Sequence, residues 1–291
     1  MRRYGLSSRR SAPGNRSRGR TGDGRTDRSA SECPASGRPL RSLTGKYSIV
    51  PGETQATQDG IHLARGRAIP VIWVAPEKLG RSTPLVIWLA SGISGMEETL
   101  PELKRLAGEG YLAVSFDSWG RGGRAKDAID VLFPIAMSNW PFYGWPMLGI
   151  GAMETLRVMD WATSEFGTEP PFSLGGISLG GDLAVAAAGL DKRVTCVAAA
   201  NAMPDWRRPG MHADGKLVPP GVPDAYAQFL YDRINPLTNL SSYAHRPAIN
   251  FECGADDVHV PADGAGPNTK QLHPSRRAES CDRPPQFRTL C

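Results

Sequence analysis

Nowhere does the chain contain the roughly 18–20 uninterrupted apolar residues that a membrane span needs, so it is not read as an integral membrane protein. Cysteine is scarce: five in 291 residues, at positions 33, 196, 253, 281 and 291, with no Cys-x-x-Cys pair. That spacing excludes a disulfide framework and a thiolate zinc site. Lysine is missing from the first 44 residues, and large apolar residues are nearly so. Such a segment cannot bury enough surface to offset its ordering entropy, so residues 1–44 are expected to be a disordered Arg/Ser/Gly-rich tail. The tail has no apolar core for a secretory signal, and Arg9-Arg10 alone is a poor twin-arginine signal. A cytoplasmic location is the resulting expectation.

The formal charge is +5, with a pI near 9. A basic protein ordinarily points to nucleic acid. Here the charge is unevenly placed. Residues 1–44 hold eleven arginines against three acids (+8), and residues 266–291 hold five basic residues against two acids (+3). The body, 45–265, has 18 basic and 24 acidic residues, hence −6. The basicity belongs to the two tails, and the first lacks aromatics interleaved with its arginines, so no nucleic-acid partner is expected.

What the body does contain is strand–helix alternation. Apolar runs at 68–74, 84–90, 111–116, 171–177, 194–200 and 248–253 read as strands. Helical spacing is found at 98–108, 148–166 and 179–189. Continuous apolar strands alternating with helices predict a mostly parallel sheet covered on both faces, the α/β class. Two stretches interrupt the pattern, 127–147 and 203–245, and insertions at the carboxyl edge of such a sheet often roof a binding site. The first carries Trp140 and Tyr143, which with Trp119 are the expected substrate-pocket residues.

The strongest local signal is Gly176-Ile177-Ser178-Leu179-Gly180, between an apolar strand and an alanine-rich helix. A serine at such a turn is held strained with its hydroxyl exposed, and flanking glycines keep side chains out of the neighbouring strand and helix. At the helix N-terminus the Leu179 amide can donate to a developing oxyanion.

With this turn in view, the sequence resembles the α/β-hydrolase superfamily, in particular its dienelactone-hydrolase-like and prolyl-oligopeptidase-like serine esterase branch. The likeness runs from about 60 to 265. Leu85–Gly95 is similar to the strand and oxyanion loop, with Ser91 where the family usually has histidine. Asp117–Arg124 is similar to the Asp-x-x-Gly-x-Gly loop, and Gly254–Pro261 to the Gly-x-x-Asp-x-x-Val-Pro loop that carries the triad acid. The resemblance implies Ser178 as nucleophile, Asp257 as acid, and the amides of Ile93 and Leu179 as oxyanion donors. It implies no metal and no cofactor, and a small ester or acyl substrate. Asp205 is the lesser alternative for the acid.

A serine nucleophile also needs a base. His62 precedes the nucleophile, His212 and His245 fall in the second insertion, and His259 shares the loop of Asp257. His273, sixteen residues past the acid, is the remaining candidate. From Gly266 onward neither a helical face nor an apolar strand is recognisable, so residues 266–291 read as a divergent tail and the fold as lacking its last helix and strand. The expected function is a serine hydrolase of a carboxylic ester or related acyl bond. A peptidase of the same fold, and a non-catalytic relative without a working histidine, are the alternatives.

Overall fold

A computed structural model describes residues 44–50, 69–125, 127, 129–208, 211–213, 216–219, 221–254, 256, 257 and 260. All lie in one compact unit, Pro39–Cys291; the other unit, Met1–Arg38, is outside them. His273 and both predicted tails, apart from Thr44, fall outside the described residues.

Seven strands form the main sheet: β1 (Thr44–Val50), β2 (Ile69–Val74), β3 (Leu85–Leu89), β4 (Leu112–Phe116), β5 (Phe172–Ile177), β6 (Val194–Ala200) and β9 (Ala248–Glu252). Their order is β1-β2-β4-β3-β5-β6-β9. β1–β2 and β2–β4 are antiparallel; every other pair is parallel. The remaining strands, β7 (Met211–Ala213) and β8 (Lys216–Val218), pair as a separate hairpin.

Alternation along the strands divides the core into two layers. Leu85, Ile87 and Leu89 of β3 face the layer that holds α3 (Trp140–Phe166) and α4 (Leu179–Leu190). Val86 and Trp88 face the other layer, with Leu103 and Leu106 of α1 (Leu100–Gly108). Helices therefore cover both faces, as the apolar runs predicted. Across the sheet a Cβ at Gly175 would sit 2.6 Å from the Trp88 ring, so this glycine makes room for the indole.

The structure differs from the sequence reading in four places. β1 was not anticipated. The stretch 127–147, read only as an insertion, holds α2 (Ile129–Ser138) and the first turns of α3. α3 begins at Trp140 rather than 148 because Asn139 caps it, its side chain accepting from the Phe142 amide at 3.3 Å, with Pro141 in the first turn. The second insertion contains α5 (Ala225–Ile234), capped by Asp224, as well as the hairpin. Among the described residues no helix is long and apolar enough to cross a membrane.

Candidate active site

β3, β4, β5, β6 and β9 run parallel, so the chain segments that follow them gather at one edge of the sheet. β5 ends at Ile177 and α4 starts at Leu179, leaving Ser178 alone to turn strand into helix. It does so at φ 54°, ψ −118°. A non-glycine residue held there carries strain of about 1–3 kcal/mol. The surroundings enforce it. A Cβ on Gly176 would lie 2.7 Å from the Leu89 carbonyl oxygen, and one on Gly180 would overlap the Leu89 and Ala90 oxygens. The Ser178 amide donates to Ala200 O at 2.8 Å, tying the turn to the end of β6. Ser178 is half-buried, and its side chain caps none of the helix amides.

Leu179, the first residue of α4, has no acceptor for its amide within the helix. The loop after β3 rests against it: a Cβ on Gly92 would be 3.4 Å from Leu179 Cβ. Ile93, next in this loop, is 60% exposed, and its amide donates to Ser91 Oγ over a long 3.4 Å. Ser91 Oγ in turn shares a hydrogen with Ser94 Oγ at 2.6 Å. The two amides expected to face an oxyanion thus lie on a loop and on a helix start that approach closely.

The loop after β4 is held by carboxylates. Asp117 accepts from the Met96 amide (2.8 Å) and the Gly123 amide (2.7 Å), joining the 91–99 and 117–124 loops. Burial raises its pKa, while those two amides pull the other way. Glu154 of α3 accepts from the Trp119 amide at 2.8 Å and forms a two-pronged pair with Arg124, both bonds 2.8 Å. Arg121 is buried at 7% exposure, and its Nε has no hydrogen-bond partner. Burial lowers the guanidinium pKa, partly offset by the Asp117 charge. Leu89, Ser91, Ser94, Asp117, Arg121 and Leu179 line a small cleft beside the Ser178 turn.

Asp257 follows β9, half-buried, with Oδ1 accepting the Val260 amide at 2.9 Å, whereas Asp256 is exposed. Asp205 accepts from Tyr231 Oη at 2.9 Å and from the Arg207 amide at 3.1 Å. His245 lies at the amino end of β6, its Nε2 3.2 Å from Val194 O, away from the edge that carries Ser178. Trp119 and Tyr143 are about 40% exposed. Trp140, by contrast, is a core residue at 5% exposure, its indole donating to Trp206 O at 2.9 Å. Among the described residues no cluster of three or more His, Cys, Asp or Glu is placed to hold a metal ion.

Asp117, Arg121, Arg124 and Glu154 had no role in the sequence reading beyond the loop motif. One signal was available: Glu154 stands among apolar and small residues near the middle of α3, where a buried acid implies a partner.

No protein-family model matches the sequence, and no curated protein does. Solved structures do match. Thermus thermophilus TT1662 superposes with a TM-score of 0.60 at 21% identity, over 82% of this chain and 86% of that one. A protein described as a dienelactone hydrolase from Klebsiella pneumoniae gives 0.52 at 18%, over 80% and 81%. An acylaminoacyl peptidase from Pyrococcus horikoshii gives 0.52 at 15%, over 80% of this chain but 35% of that one. With the parallel sheet and the strand–serine–helix turn already described, these likenesses establish that the chain has the α/β-hydrolase fold.

Proposed function

We propose that this chain is a serine hydrolase that cleaves a carboxylic ester or related acyl bond. The observation that carries the proposal is the Ser178 turn. Its strained backbone is upheld by glycines whose replacement would strike the β3 carbonyls, an arrangement with no packing advantage of its own.

In the proposed reaction Ser178 Oγ attacks the acyl carbonyl and its proton passes to a histidine. The oxyanion is met by the Leu179 and Ile93 amides. Collapse expels the alcohol, which takes that proton, and water then releases the acid from the acyl-enzyme by the same steps. Asp257 orients the histidine, and His273 is the base this reading assigns. Trp119 and Tyr143 are the apolar contacts offered to substrate.

Arg121 favours acyl substrates that carry an anionic group. Arg121 lines the cleft beside Asp117, and its buried Nε has no hydrogen-bond partner. The test is labelling with a fluorophosphonate, read by intact mass. Modification of the wild type that disappears in Ser178→Ala is the expected result, with Oγ phosphonylation at least a hundredfold slower in His273→Ala. Folded protein that takes no label would refute the proposal.

A further inference from the structure

Asp182 is an anomaly in α4. The helix reads LGGDLAVAAAGL and is otherwise apolar, yet this carboxylate is 1% exposed. Its partner is Arg208, whose side chain is 3% exposed; Asp182 Oδ2 accepts from Arg208 Nη2. Oδ1 accepts from the Met203 amide at 2.8 Å. Burial pushes the Asp182 pKa up to about 6 against the pull of Arg208 and that amide. Cys253 lies within reach of the charges of Asp182, Arg208 and Asp257.

The energetics make the pair unusual. A buried ion pair gains little over apolar residues of the same shape, whereas removing one partner strands the other charge. What it does supply is direction. Asp182 is one helical turn beyond Ser178, its amide donating to Ser178 O at 3.0 Å. Met203 and Arg208 belong to the segment that leaves β6. The near end of that segment supports the loop after β9: the Asn201 amide donates to Glu252 O (2.5 Å), Asn201 Oδ1 accepts from the Gly254 amide (3.2 Å), and Ala202 O accepts from Cys253 Sγ (3.6 Å). Asn201 itself is held at φ 46°. Ala202 of this segment packs closely on α4, where a Cβ on Gly181 would be 2.6 Å from the Ala202 Cβ.

We propose that Asp182 and Arg208 are positioning residues: by fixing the 201–208 segment against the first turn of α4 they set the register between the Ser178 turn and the loop that bears Asp257. The inference rests on the serine-hydrolase reading and adds to it a pair that touches no substrate. Arg208 also lies over the Trp140 ring at 5.5 Å, so the same pair links α4 to the start of α3.

The experiment follows fluorophosphonate labelling of Ser178 in the full chain, alongside thermal melting, for Asp182→Asn, Arg208→Met, the double variant and Arg208→Lys. Each single neutral variant strands a charge and melts lower, while the double variant melts near wild type. Positioning predicts that the double variant still labels at least tenfold slower well below its melting temperature. Arg208→Lys, which keeps the charge but loses the planar guanidinium, recovers part of the rate. A double variant that is stable and labels within twofold of wild type would overturn the inference and leave the hydrolase reading intact. A wild type that takes no label would remove that reading and this inference together.

Discussion

The Ser178 turn and the 117–124 loop border the same cleft but are fixed by different means. At the turn, backbone meets backbone: Gly176 and Gly180 sit against the β3 carbonyls with no room for a single carbon. At the loop, two carboxylates do the holding, Asp117 on two amides and Glu154 on an amide and a guanidinium. Steric fixation is local and all-or-none. Polar fixation reaches across the sequence (Glu154 is 35 residues from Trp119) and fails in degrees. One site therefore combines a part that cannot yield with a part that can be loosened.

The sharpest way to break this contrast is Gly180→Ala. An added Cβ would meet two backbone oxygens, so the turn must open or the fold must give. We expect a loss of about 3 kcal/mol or more in urea unfolding and no measurable labelling of Ser178. Intact labelling would show the turn to be softer than its contacts imply. Next comes Glu154→Ala, which leaves the partly buried Arg124 without its carboxylate. The expected cost is about 3 kcal/mol, but labelling persists with weakened substrate affinity, because the Ser178 turn does not depend on it.

The amino end of the sheet provides a polar control far from the cleft. There Asp191 accepts from the Arg193 amide at 2.9 Å and from its guanidinium at 2.6 Å. Burial alone would raise the Asp191 pKa, but the bonds from Arg193 prevail and hold it below its ordinary value of 3.8. A carboxylate lowered by folding stabilises above its unfolded pKa and ceases to do so as pH falls through the folded one. Asp191→Asn should therefore cost about 1 kcal/mol at pH 7, and the gap should close as urea midpoints are taken down to pH 3. Labelling should not change. The smallest effect belongs to Glu169→Gln, which breaks an exposed pair with Arg81 (side chains 58% and 82% exposed) and should shift stability by less than about 0.5 kcal/mol.

The same division explains what could be read in advance. Buried parallel strands announce themselves as continuous apolar runs, and six of the seven sheet strands were found within a residue of their ends. The Ser178 turn was legible because its constraint lies within five consecutive residues. β1 was not, since Thr44–Val50 abuts a tail with no apolar pattern. The start of α3 was hidden by Pro141, Pro146 and a crowd of aromatics that blur helical spacing, although Asn139 marks the cap. Met96 on Asp117, Trp119 and Arg124 on Glu154, and Met203 and Arg208 on Asp182 lie at distances no local window spans. A lone acid within an apolar helix signals that a partner exists without saying which residue it is.

The contact between Gly92 and Leu179 has a mechanical consequence. An oxyanion is sensitive to the spacing of the two donors that flank it, more than to where the pair sits in the molecule. On the proposed reading, the close approach of Gly92 to Leu179 makes that separation depend on a gap one glycine wide.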